Sequence, residues 1–313
     1  MSPVQYNIRG PGVMAKTIGF VGVGDMGGPM ARNLVKGGFD VLAYDIREDA
    51  LEGVTQAGAR AAASVRDIAS EAETVFVCLN TVKAAHAVAR EAAQGDAIRT
   101  YVDLSTTGPT VARKLRQYFE GTGIEMLDAP VSGLISGAVD GTLSVMATGS
   151  KAAFDRVRPA FEAIGKNVFY LGDLPGGGQM MKLVNNYLMN IANIGTSEAI
   201  VLGAKAGLDP RAMFDVINVS TGRNTPSSQT LNHAVPDRDF SYGAFMQISH
   251  KDISLCLEEG ERLGVPLELG AVVRDIIADA IDQGGATERS SGIFKYIEAK
   301  AGITVGEESD EDS

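Results

Sequence analysis

The chain has 313 residues, 45% of them hydrophobic and 21% charged, with a formal net charge of −11. That length can bury a large core and predicts two domains. The acidic balance is a poor match for nucleic acid, and the sequence has no run of about 18 uncharged apolar residues that would predict a membrane span. The N-terminus lacks the apolar segment of a secretory signal. Cys78 and Cys256 lie far apart in apolar surroundings and read as buried thiols of a reducing, cytoplasmic compartment, not as a disulfide or metal pair. His86, His233 and His250 are scattered, so no metal site is expected.

In chain order, residues 1–16 are expected to form a disordered leader. From 17 to 178 short apolar runs alternate with Ala-rich helical stretches. The predicted strands are TIGFVG (17–22), VLAYD (41–45), TVFVCL (74–79), YVDLS (101–105), EMLDAP (125–130), SVMATG (144–149) and NVFYLG (167–172). Near-continuous apolar runs are the pattern of strands buried on both faces. Alternation with helices predicts right-handed crossovers and a mostly parallel sheet, hence a Rossmann-type α/β dinucleotide-binding domain over 17–178. After GDLPGGG (172–178) the strand pattern stops. An all-α domain is expected over 179–305, opening on one long helix over 179–206 that would join the domains or pack between subunits. Asp209-Pro210 is expected to open a further helix, and Gly264-Val265-Pro266 to separate two others. Residues 306–313 form an acidic tail, with Glu307, Glu308, Asp310, Glu311 and Asp312.

The first strand runs straight into GVGDMG and then into a helix. This is G-x-G-x-x-G in the strand–turn–helix setting that binds a dinucleotide. Gly22 permits the turn, Gly24 lets a pyrophosphate approach the backbone, and Gly27 lets helix and strand pack closely; Asp25 and Met26 complete the loop. The helix start then offers amide groups and partial positive charge to the anion. Asp45, 23 residues after Gly22, is placed to bind the ribose 2′-hydroxyl. Its charge favours NAD over NADP, although Arg47 two residues on leaves NADP open.

Four stretches together resemble the β-hydroxyacid dehydrogenase family: IGFVGVGDMGGPMARNL (18–34), DAPVSGLISGAVDGTLSVM (128–146), GGGQMMKLVNN (176–186) and HKDISLCLEEGERLGVPLEL (250–269). The resemblance covers nearly the whole chain and implies a nicotinamide-dependent oxidoreductase acting on a small carboxylate-bearing substrate, a 3-hydroxy acid or its semialdehyde. By this resemblance Lys182 falls on the catalytic lysine and Asn186 on its partner asparagine. Ser132 and Gly133 fall on the segment that holds the substrate carboxylate. Leu79, Asn80 and Thr106 fall on positions touching the nicotinamide half of the cofactor, and Lys251 on a cofactor-contacting lysine. The family usually has a second glycine where this chain has Leu134, which reshapes the carboxylate pocket, and often Leu-Pro where this chain has Leu79-Asn80. The resemblance also implies a homodimer or homotetramer.

The residue types suit the reaction. Oxidising an alcohol removes a hydride and a proton, and a lysine whose pKa is lowered by burial or a nearby cation can take the proton. Asn186, at i+4 from Lys182, lies on the same helical face and carries both a donor and an acceptor. Two alternatives stand beside this reading: an imine reductase on the same fold, whose members usually place Asp or Tyr at the lysine position, and a non-catalytic dinucleotide-binding module.

Overall fold

The computed structural model describes residues 16–306; the leader up to residue 15 and the tail from 307 lie outside the described residues. The chain divides into two compact units, Met1–Lys182 and Leu183–Ser313.

The first unit carries a six-stranded, all-parallel sheet built from β1 (Thr17–Val21), β2 (Asp40–Tyr44), β3 (Arg60–Ala61), β4 (Thr74–Val77), β5 (Thr100–Asp103) and β6 (Glu125–Asp128). The order is β3-β2-β1-β4-β5-β6. The chain direction across the sheet reverses between β1 and β4. The loops that follow these two strands therefore diverge and open a crevice at their carboxyl ends, where open α/β sheets bind ligands. Helices α1 (Gly27–Lys36), α2 (Glu48–Thr55), α3 (Val65–Glu71), α4 (Val82–Ala92) and α5 (Pro109–Gln117) alternate with the strands. Apolar side chains fill both faces. One core gathers Phe20, Met30, Leu34, Phe76 and Phe161, and the other Ile68, Val75, Ile98, Tyr101 and Leu115.

The later strands depart from a single sheet. β7 (Val131–Ser132), β8 (Ser144–Ala147) and β9 (Asn167–Tyr170) form a separate three-stranded sheet, β7 running antiparallel to β8, with α6 (Leu134–Asp140) and α7 (Lys151–Ile164) between them. An isolated bridge between Asp128 and Thr148 ties β8 to the end of β6. The sequence reading missed β3 and β7. Each is two residues long, too short to display a hydrophobic period, and exists only because a neighbouring strand is there to pair with it.

The second unit is helical: the greater part of α8 (Gly177–Lys205), then α9 (Pro210–Asn218), α10 (Leu231–Asp237), α11 (Met246–Leu263), α12 (Glu268–Asp282) and α13 (Ile293–Ala301). The expected long helix is present and runs 29 residues. Asp209 caps α9 by accepting from the Ala212 N–H at 2.8 Å, with Pro210 in the first turn. Gly264, at φ +71, ends α11. One core centres on Ile194, Ile253, Val273 and Ile277, and a second on Ile200, Phe214, Leu231 and Phe294. Cys256 is buried and Cys78 only partly so; both are unpaired. Among the described residues, no helix is long and apolar enough to cross a membrane, and no three His, Cys, Asp or Glu side chains converge as metal ligands.

Candidate active site

The loop after β1 has the geometry of an anion cradle. Gly22 sits at φ +86, where a side chain would be strained. A Cβ on Gly27 would lie 1.9 Å from the Gly22 carbonyl oxygen, so strand and helix are in direct backbone contact. Gly24 is different: the nearest atom to a Cβ there is an Arg47 guanidinium nitrogen at 3.2 Å, so that face of the loop is lined by a side-chain end that can move aside. No side chain caps the start of α1, which leaves its amide end to an anion. Asp25 is exposed and Met26 half-buried beside it. The Asp45 carboxylate accepts the Val23 N–H at 2.9 Å and the Arg47 N–H at 3.0 Å. One bond to each oxygen orients the carboxylate and leaves further lone pairs for a ribose diol. Glycine cradle, uncapped helix start and oriented acid together fit a dinucleotide.

The ends of β4 and β5 are stitched together next to this loop. The Leu79 N–H donates to Ser105 Oγ at 2.9 Å, and the Ser105 N–H donates to Asp103 Oδ1 at 2.9 Å. Asn80 is exposed and Thr106 half-buried. Asp103 is fully buried, and its Oδ2 has no hydrogen-bond partner among the described residues. Burial pushes the Asp103 carboxyl up to about 6; hydrogen bonds from Ser105 oppose the rise and the neighbouring Asp128 adds to it. Burial, with the Asp103 charge adding, pushes the nearby Cys78 thiol up to about 12, which makes it a poor nucleophile.

This perturbation has a signed consequence for stability. An unfolded aspartate ionises near 3.9. The folded chain therefore keeps an extra proton between about pH 4 and pH 6, and the contribution of this group to stability falls as pH rises through that window. Asp103→Asn carries no such proton. Its stability relative to the parent should rise by up to about 3 kcal/mol from pH 4 to pH 7, read from urea midpoints at both pH values. A difference that does not change with pH would show that Asp103 ionises normally.

Asp128, at the end of β6, was not singled out from the sequence, yet it anchors the start of α8. Its two oxygens accept the Gly176 and Gln179 N–H groups, each at 3.1 Å. Burial raises its pKa, and the hydrogen bonds from Thr148, Gly176, Gln179 and Gly178 oppose that rise. Gly178 is required by close approach: a Cβ there would lie 2.3 Å from the Met146 carbonyl oxygen. Lys182 follows one turn later and is buried, with 9% of its surface exposed. An ordinary lysine on a helix surface would be solvated, so this burial separates Lys182 from the other lysines of the chain.

Ser132 lies in β7, paired with Ser144 across the antiparallel ladder, and is half-buried. Gly133 follows at φ +143, and Leu134 at φ +61 with 44% of its surface exposed. A leucine in the left-handed region costs roughly 1–2 kcal/mol, and this side chain is too exposed to recover that cost by packing. Strain of this kind clusters at functional sites. Leu134→Gly should therefore raise stability by about 0.5–1 kcal/mol, visible as a thermal midpoint about 1–4 °C higher. A lower midpoint would mean that the leucine is held by packing.

In the helical unit, the Asn186 amide donates to Asp252 Oδ2 at 2.6 Å and its oxygen accepts from Asn185 Nδ2 at 3.1 Å. Lys251 Nζ lies 3.0 Å from Asp252 Oδ1. The structure thus brings Asn186 and Lys251 together through an acid that the sequence reading did not single out. Asp252 is buried on the face of α11 that carries Ser249, Ile253 and Cys256. An acid at helical spacing within a buried stripe was the signal available. Elsewhere in this unit Arg238, Arg289 and Lys295 surround a hollow of about 480 Å³, a basic cluster that the sequence did not suggest. Glu298 and Glu288 answer the charges of Arg238 and Lys295.

Comparison with known proteins extends this geometry. Residues 17–172 match the family described as the NAD binding domain of 6-phosphogluconate dehydrogenase. Residues 176–297 match the one described as NAD-binding of NADP-dependent 3-hydroxyisobutyrate dehydrogenase. The chain is similar to 2-(hydroxymethyl)glutarate dehydrogenase of Eubacterium barkeri, at 34% identity over 92% of this chain and 97% of that protein. It is similar to the NAD-dependent L-serine dehydrogenase of Pseudomonas aeruginosa, at 33% identity over 92% and 99%. Among solved structures, 3-hydroxyisobutyrate dehydrogenase of Mycobacterium tuberculosis with L-serine has a TM-score of 0.83 at 31% identity, covering 91% of this chain and 99% of that one. An imine reductase of Streptomyces aurantiacus, at a TM-score of 0.60 and 21% identity over 90% and 99%, shares the fold alone. The glycine loop thus belongs to a nicotinamide-dinucleotide-binding domain, and the chain as a whole is a member of the β-hydroxyacid dehydrogenase family.

Proposed function

We propose that the protein oxidises a small 3-hydroxy acid at its β-carbon, or reduces the matching semialdehyde, with Lys182 as general acid and base. The observation that carries this reading is the burial of Lys182 one turn into a helix whose start is held by Asp128. A nicotinamide dinucleotide, when bound, would supply the hydride acceptor or donor. Lys182 Nζ, as the neutral amine, takes the hydroxyl proton as the carbon–oxygen double bond forms. In the reverse direction the ammonium polarises the carbonyl and returns the proton. Asn186 orients the reacting oxygen, its amide fixed in turn by Asp252. Ser132 and the Gly133 N–H hold the carboxylate without adding charge, and Leu134 borders the space for the substituent beside it. Leu79, Asn80 and Thr106 meet the nicotinamide half, and Lys251 is a further cofactor-contacting residue.

The substrates named for the relatives, 2-(hydroxymethyl)glutarate, L-serine and 3-hydroxyisobutyrate, share one skeleton. Each has a primary alcohol on the carbon next to the one that bears the carboxylate, and they differ in the α-substituent. We assign that skeleton to the substrate of this chain. Gly22, Gly24, Asp25, Met26 and Gly27 take the pyrophosphate, and Asp45 takes the ribose diol. NAD is the preferred cofactor, because the oriented Asp45 carboxylate would repel a 2′-phosphate. The unpaired cysteines suit a cytoplasmic setting. Exposed apolar positions along α8, Val184, Leu188 and Leu202, suit a homodimer or homotetramer. The test is a screen at 340 nm of the purified protein with NAD and NADP separately, against 3-hydroxy acids whose α-substituent grows from hydrogen to carboxyethyl, with cyclic imines alongside. Turnover of the hydroxy acids with NAD is expected. Turnover of imines alone, or cofactor binding without any turnover, would overturn the proposal.

A further inference from the structure

We infer that Gln179 is a positioning residue for Lys182: its side-chain amide bolts the first turn of α8 to the loop after β5, and so sets where the catalytic amine stands relative to the strand ends that receive the dinucleotide. This rests on the hydride-transfer reading given above. Gln179 is fully buried, and every polar group of its side chain is used. Oε1 accepts the Thr107 and Gly108 N–H groups, each at 3.0 Å. Nε2 donates to the Ser105 carbonyl oxygen at 2.7 Å. Its own N–H donates to Asp128 Oδ2 at 3.1 Å.

These bonds bracket Thr106, because the backbone groups on both sides of it, at Ser105 and Thr107, are held by the same amide. Ser105 Oγ also accepts the Leu79 N–H, so the bracket extends to the end of β4. Both segments assigned above to the nicotinamide half are therefore indexed to one side chain of α8. Lys182 stands three residues after Gln179, on the same face of the helix. A shift of the first turn moves its amine by a comparable distance. A general acid or base must lie within hydrogen-bond reach of its proton, and a misplacement of about 1 Å can cost 10²-fold in rate. A neutral amide meets this need where the flanking carboxylates Asp103 and Asp128 would make a further charge costly. A side chain serving only as packing would need the volume of glutamine but none of its three polar bonds.

The test compares Gln179→Met, which keeps the volume and loses every side-chain hydrogen bond, with Gln179→Glu, which keeps the two accepted N–H groups and loses the donation to Ser105. kcat and KM for the best 3-hydroxy acid, the dissociation constant of the dinucleotide and the thermal midpoint are measured for each. kcat is expected to fall roughly 10- to 100-fold in the Met variant and at least as far in the Glu variant, whose carboxyl faces the Ser105 carbonyl oxygen, with dinucleotide affinity within about threefold of the parent. If the Met variant does not fold, the Glu variant carries the test, and an unchanged kcat there overturns the inference. So does a loss that tracks only the folded fraction, or one that appears in dinucleotide affinity with kcat intact. A parent protein without turnover on any 3-hydroxy acid would sink the functional reading itself. An active parent with an equally active Gln179→Met variant would sink only the positioning role.

Discussion

Replacing Lys182 by alanine should lower turnover by about 10²- to 10⁴-fold, the usual worth of a general acid or base, while the protein still folds and binds the dinucleotide. The reason lies in where the side chain sits. The dinucleotide loop is built from residues near positions 22–27 and from Asp45, and the start of α8 is held by the Asp128 carboxylate. On the proposed reading, removing the amine takes away the group that moves the proton while these glycine, Asp45 and Asp128 contacts remain. The measurement is a steady-state comparison with the dinucleotide dissociation constant taken by cofactor fluorescence; the chain has no Trp, so cofactor emission is read without tryptophan interference. An alanine variant that turns over at the parent rate would remove Lys182 from the chemistry.

The second large effect separates the two roles of the glycine loop. Gly27→Ala puts a methyl 1.9 Å from the Gly22 carbonyl oxygen and 3.1 Å from the Phe20 ring. Backbone cannot yield as a side-chain end can, so strand and helix must move apart. Overpacking of this kind costs about 3 kcal/mol, or roughly 6–12 °C in thermal midpoint for a domain of this size, and dinucleotide affinity should fall at least tenfold as the cradle opens. Gly24→Ala is the counterpart. Its methyl meets only an Arg47 guanidinium nitrogen at 3.2 Å, which can swing away, so the thermal midpoint should stay within about 2 °C. Affinity should nevertheless fall, because the methyl occupies the path of the pyrophosphate. Equal losses of stability in the two variants would mean that Gly24 serves the fold and not the ligand.

Sequence by itself determined the α/β frame, the long helix and the place of the dinucleotide loop. These follow from period and order along the chain: apolar runs such as TVFVCL, glycines at fixed spacing directly after a strand, and an acid one strand later. Such features are local and survive without knowledge of the neighbours. The resemblance to a family then supplied roles for Lys182, Asn186 and Ser132 that spacing alone could not. Only the tertiary structure decided the rest. β7 pairs antiparallel in a sheet of its own, because a two-residue strand exists only through its partner. The Leu134 backbone keeps the left-handed turn that a second glycine would adopt freely. Asp128, Gln179 and Asp252 became meaningful for one physical reason: a buried polar group must find partners. Theirs stand far away in sequence, Gln179 to Thr107 across 72 positions and Asn186 to Asp252 across 66, a distance over which no local pattern in the chain carries a signal.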